Sequence, residues 1–110
     1  MVMTAANYVS NGKFFAREPS DYVNSRVLAA STSERTAIPA GYNLVRVQSD
    51  QDIYILFGDS SVAAVVNTDV TDGSASELNG GEYFLGNTTA THIAVISEVA
   101  CKVSFSYYKV

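Results

Sequence analysis

From Ile38 to the C-terminus the chain is a succession of short segments rich in Val, Ile, Tyr and Phe, each followed by turn-forming residues. Asn43–Gln48, Asp52–Phe57, Thr91–Ile96 and Cys101–Val110 carry this signature most clearly. Several alternate apolar and polar residues, the pattern of a strand with one face buried. No window of helical length carries a convincing 3.6-residue apolar period. The expectation is an all-β fold, an antiparallel β-sandwich or jelly-roll-like barrel of about eight short strands.

The strands can be placed in order. Arg26–Ser31 and Glu34–Ile38 are candidates separated by a Ser/Thr turn. Pro39-Ala40-Gly41 then breaks the chain, since Pro fixes φ and Gly admits positive φ. In Asn43–Gln48, Val45 and Val47 share one face, with Leu44, Arg46 and Gln48 on the other. Ser49-Asp50-Gln51 reads as a tight link into Asp52–Phe57, where Ile53, Ile55 and Phe57 share a face opposite Tyr54 and Leu56. Two apolar faces imply a central strand covered on both sides, or an outer face buried in an assembly. Val62–Val66 reads as a further strand, Asn67–Asn79 as the longest loop, and Glu82–Leu85 as a strand entered through Gly80-Gly81. In the last strand Val103, Phe105 and Tyr107 are expected inward, and Lys102, Ser104 and Ser106 outward.

At 110 residues the chain is expected to form one domain, in two parts. Residues 25–110 make the β-sandwich. Residues 1–24 are either an extended N-terminal arm that docks on a neighbouring subunit or a first strand, Gly12–Arg17, ending at a Pro19-Ser20 turn. The aromatic residues Tyr8, Phe14, Phe15 and Tyr22 would be the anchors of such an arm.

Composition narrows the chemistry. A formal charge of −4 and seven scattered Lys and Arg provide no basic stripe for phosphate neutralisation or for an acidic membrane surface. No apolar run approaches the roughly 20 residues of a membrane span. The first fifteen residues lack a charged n-region and an apolar h-region, so the product is expected to be soluble where it is made. One cysteine, Cys101, allows no intrachain disulfide.

Catalytic groups are sparse. His92 is the single histidine, in a strand context with no nucleophile elbow near it, and is expected to face solvent or an interface. Cys101 is expected to be a small buried side chain. One Cys and one His cannot supply a zinc site. The pairs Asp50/Asp52 and Asp69/Asp72 are read as turn formers in preference to calcium ligands. No cofactor or metal is expected, and no enzymatic activity. Tyr42, Tyr54, Tyr83 and Tyr108 could stack sugars, although strand packing and protein interfaces use tyrosine in the same way.

The block IPAGYNLVRVQSDQDIYILFGDSSVAAVV, followed by LNGGEYFLG and THIAVIS, resembles small β-sandwich virion proteins of tailed bacteriophages. The likeness lies in a Pro-Gly turn before a strand, a hairpin ending at Phe57-Gly58-Asp59, an aromatic strand at Tyr83-Phe84 and the strand at THIAVI. It covers about residues 31–110. It implies a capsid decoration or cement protein that joins neighbouring capsomers on the outer surface of the virion, made in the host cytoplasm. The partners implied are the major capsid protein and copies of the chain itself, as a homotrimer. Under that implication residues 1–24 dock on the capsid or on a neighbouring subunit, while Tyr54, Leu56 and Val62–Val66 make subunit contacts. The other reading is a glycan- or receptor-binding β-module, such as a head fibre, spike or tail component.

Overall fold

The computed structural model describes residues 19–110. These hold eight strands: β1 Tyr22–Leu28, β2 Glu34–Ala37, β3 Leu44–Ser49, β4 Tyr54–Gly58, β5 Glu77–Leu78, β6 Glu82–Phe84, β7 His92–Ile96 and β8 Cys101–Tyr108. The described residues contain no helix. Two four-stranded sheets form, in the orders β1-β8-β3-β6 and β2-β7-β4-β5, and every pairing is antiparallel.

The topology follows a simple rule. β1 pairs with β8, β2 with β7, β3 with β6 and β4 with β5. This nesting is that of one long folded-back ribbon wound into two facing sheets, which is the jelly roll.

The core lies between the sheets. Leu28, Val45, Val47, Ile53, Ile55, Ile93, Val95, Val103, Phe105 and Tyr107 are all buried in one cluster there. On β8 the expected alternation is realised, with Val103, Phe105 and Tyr107 buried and Lys102 exposed. Ser106 points to the outer side yet is buried, opposite Arg46 in the β3 register. Cys101 is buried and free, a small core residue as its context suggested.

Three sequence expectations change. The candidate strand Arg26–Ser31 is shifted: β1 starts at Tyr22 and ends at Leu28, and Ser31 adopts φ 57° in the turn that follows. The sandwich therefore reaches into the segment 1–24, where the Ser20 hydroxyl donates to the Tyr107 carbonyl at 2.6 Å. The candidate strand Gly12–Arg17 lies outside the described residues.

Val62–Val66 is not a strand. It runs as a strap over the outer face of β4 and β7; the Val62 amide closes a turn on the Asp59 carbonyl, and beyond it the bonds go to side chains: Ala64 N–H to Ser33 Oγ at 3.0 Å, and the Val62 carbonyl from Arg35 Nη1 at 3.2 Å. Its apolar side chains close a second, smaller core with Ala94, Ile96, Tyr54 and Leu56. That is why β7 is buried on both faces, with Ile93, Ala94 and Val95 at 0% exposure. The loop Asn67–Asn79 is likewise interrupted, by the two-residue β5.

Gly58 makes the turn into the strap possible. A Cβ at this position would lie 2.8 Å from both Cβ and Cγ2 of Val62, atoms too close to the backbone to swing aside. Gly58→Ala is expected to lower stability by about 1–3 kcal/mol through this overlap. Urea unfolding monitored by tyrosine fluorescence would check it, and an unchanged midpoint would contradict the packing.

Candidate interaction surfaces

The residues expected to carry contacts are dispersed by the fold. Tyr22 opens β1 and belongs to an aromatic group at that end of the sandwich. Its ring is 5.2 Å from Tyr42 and 5.8 Å from Tyr107, in edge-on geometry. The Tyr42 hydroxyl donates to Asp21 Oδ1 at 3.2 Å, and Lys109 Nζ lies 5.0 Å from the Tyr42 ring centre. Loss of hydration and the neighbouring Asp21 carboxylate hold the Tyr42 hydroxyl above the usual tyrosine range. Tyr22 keeps 39% of its surface exposed, so it joins the fold and still leaves one edge of its ring uncovered by the described residues.

Tyr54 and Leu56 share a face of β4, as expected, but the chain itself covers that face. The strap packs Val62, Ala64 and Val66 against them and leaves both half-buried. A central strand with cover on each side is the arrangement found, with the strap as its outer cover. Tyr8, Phe14 and Phe15 lie outside the described residues.

The four tyrosines considered as a sugar platform do not converge. Tyr42 and Tyr83 pack against the inter-sheet core, Tyr83 with its ring 4.7 Å from Phe57. Tyr54 lies under the strap, and Tyr108 packs with Leu44 and Val110 on the other sheet. Burial, and then the carboxylate of Glu77, push the Tyr83 hydroxyl well above the usual range.

Asp50, Asp52 and Asp72 of the acidic pairs serve the turns. Asp50 Oδ1 accepts from the Lys102 amide at 3.0 Å, which ties the β3–β4 link to the start of β8. Asp52 Oδ1 accepts from Asn79 Nδ2 at 3.0 Å, while Asn79 Oδ1 accepts from the Ile53 amide at 2.9 Å. Asn79 adopts φ 56°, a conformation asparagine tolerates better than most residues. Asp72 Oδ1 accepts from the amide and hydroxyl of Ser74, and these bonds hold its carboxyl below the usual range. Asp59 behaves in the same way towards Ser61, with the charge of nearby His92 a smaller contribution. His92 itself is half-buried, its Nδ1 at 2.8 Å from Thr91 Oγ1. Among the described residues no group of three or more His, Cys, Asp or Glu is placed to hold a metal ion.

Two surface features stand out. An open hollow of about 430 Å³ lies beside the β3–β4 link, lined by Gln48, Asp50, Gln51, Asp52 and Asn79 above Val47 and Ile53. The second is the loop after the strap, closed at its base by a reciprocal pair. Asn67 Nδ2 donates to the Ser76 carbonyl at 2.7 Å, and the Ser76 amide donates to Asn67 Oδ1 at 2.9 Å. One side chain thus imitates a rung of β-ladder, and residues 68–75 project as an exposed loop. Asn67→Ala is expected to cost about 1–2 kcal/mol, the worth of two part-buried bonds. Faster amide exchange at Ser76 and across 68–75, with β8 unchanged, would show the loss is local.

Sequence reasoning did not single out the exposed aliphatic and aromatic residues of the β1-β8-β3-β6 sheet. Val23 is 55% exposed, Val27 71% and Phe84 58%. The signal was present in the alternation of YVNSRVL, but Asn24-Ser25 reads locally as a turn and hides it. Comparison of the chain with protein families, with curated proteins and with solved structures finds no match in any of the three.

Proposed function

We propose that the chain is a non-enzymatic structural protein of a tailed-bacteriophage virion, a decoration or cement protein on the outer surface of the capsid. It joins neighbouring capsomers, with the major capsid protein and further copies of itself as partners, and the sequence resemblance implies a homotrimer. The observation that carries this reading is the nested jelly-roll pairing, seven of whose eight strands lie within the residues that bear the resemblance. Jelly rolls recur in viral capsid and lectin domains. Fold alone does not assign function, so the weight rests on fold and sequence pattern together.

The surface is consistent with such work. A cement protein stays soluble before it binds, and a charge of −4 favours that. Many copies on one shell make modest individual contacts sufficient through avidity. In this reading residues 1–24 provide the docking element, with Tyr22 as the anchor that begins the sandwich.

A second reading, a glycan- or receptor-binding module of a head fibre, spike or tail component, draws support from the hollow beside the β3–β4 link. Its carboxamides and carboxylates suit sugar hydroxyls. The experiment mixes the purified full chain with undecorated heads assembled from tailed-phage major capsid proteins, then sediments them. Saturable co-sedimentation and greater resistance of the heads to heat are expected. No binding to heads, with selective binding on a glycan array, would overturn the cement reading in favour of the second.

A further inference from the structure

β1 is the outermost strand of its sheet, and among the described residues no strand pairs with its free edge. Its seven residues run without a bulge, matched one to one from Tyr22↔Tyr107 to Leu28↔Cys101. Soluble proteins guard such edges with Lys, Pro, bulges or inward-pointing charges that stop another strand from adding. Within β1 the single charge is Arg26; it points inward, the one guard of that kind on the strand, and its ion pair with Glu34 neutralises it. The outer side carries Val23 and Val27, with exposed Ser25 midway between them.

That spacing makes the strand complementary to itself. In an antiparallel pair of two β1 strands centred on Ser25, Val23 of each copy stands opposite Val27 of the other. Two Val–Val pairs then flank a central Ser–Ser pair on one face. On the inner face Asn24 meets Arg26, and Tyr22 meets Leu28. Directly opposed aliphatic pairs are favourable, and directly opposed like charges are not.

Other registers fail on this criterion. A shift of one residue in the pairing sets inner side chains against outer ones. Centring on Arg26 opposes that cation to its own copy. Centring on Asn24 sets Val27 against Asp21 and Val23 against Ser25. The Ser25 register alone matches both exposed valines.

The geometry points to a two-fold contact between two copies of this chain, in which β1 pairs antiparallel with β1 about Ser25 and merges two four-stranded sheets into one of eight. Such an isologous contact closes on itself, so the free edge is consumed without growth into a fibre. It goes beyond the capsid reading, because it specifies a contact between copies whether or not the chain coats a shell.

The test is Ser25→Cys in the full chain. Opposed residues of an antiparallel pair have Cα atoms about 4.5–5.5 Å apart, within reach of a disulfide. The native thiol, Cys101, is buried and does not compete. Val23→Cys is the control, because its copy would stand about 13 Å along the paired strand. Under mild oxidation the Ser25→Cys chain is expected to form covalent dimer at least about tenfold faster than Val23→Cys, as a pre-formed contact raises the effective thiol concentration. Adding Val23→Lys and Val27→Lys to Ser25→Cys should abolish that advantage, with an unchanged far-ultraviolet circular dichroism spectrum showing that the fold persists. Equal rates for the two cysteine chains, or a dimer indifferent to the paired lysines, would overturn the inference.

Discussion

Phe105→Ala is expected to lower the unfolding free energy by about 3–5 kcal/mol. The ring is fully buried, with 0% exposure, in the middle of β8. Its register partners are Asn24 on β1 and Val47 on β3, so it lies at the centre of the sheet and faces the cluster shared with Ile55, Ile93 and Val95. Truncation removes the transfer free energy of the ring and leaves a cavity between two sheets whose strands are held by their ladders. Such walls relax little, and the cavity cost stays near its upper range. A domain of this size holds only about 5–15 kcal/mol in total, so one substitution can remove a large share. Urea unfolding should show a lower midpoint with an unchanged slope, the sign of a stability change in a two-state unit. A loss below about 1 kcal/mol would mean that the sheets are not packed about this ring.

The second large effect concerns alkaline pH. Tyr107 is fully buried, and its hydroxyl has no hydrogen-bond partner among the described residues. Burial, with a smaller contribution from Tyr22, raises its ionisation well above the usual range. The unfolded chain ionises the same tyrosine near pH 10. Above that point the unfolded state releases a proton that the folded state retains, so stability is fully present below about pH 10 and declines as pH rises towards the folded value. The slope from this residue is about 1.4 kcal/mol per pH unit. Tyr107→Phe is expected to flatten that part of the alkaline profile. At pH 7 it should be at least as stable as the parent, because the hydroxyl removed leaves no partner unpaired. Thermal melts from pH 8 to 12 on both proteins would check this, and identical slopes would place the ionising group elsewhere. Tyr83, raised in the same direction, supplies the residual slope in the variant.

The strands that could be read from the sequence are those whose patterning is local. Val45 and Val47, or Val103, Phe105 and Tyr107, announce their face by alternation, because side chains of a strand point to opposite sides with period two. The two apolar sides of β4 were legible for the same reason. β1 was displaced because Asn24 and Ser25 favour turns when judged on their neighbours alone. In the fold their backbone is fixed by β8, across a separation illustrated by Ser20 bonding Tyr107, 87 residues away.

Val62–Val66 makes the same point from the opposite direction. Its β-branched residues have strand propensity, but the amides of Ala64 and Val65 are bonded by side chains from Ser33 and Ser76, so it forms cover instead of ladder. The contact residues followed this divide. Tyr54 and Leu56 were correctly placed on a common face, while the identity of what covers them depended on the path of the strap.

Local pattern along the chain was enough for an all-β fold, the inward faces of β3, β4 and β8, and the turns between them, since each follows from side-chain alternation and backbone preference within a few residues. The three-dimensional fold was needed to reveal the nested pairing of β1 with β8, β2 with β7 and β3 with β6, the strap over β4 and β7, and the edge of β1, unpaired among the described residues, with its two outward valines. Those features are set by hydrogen bonds and burial between segments far apart in the chain, and a local pattern carries no record of which distant partner completes it.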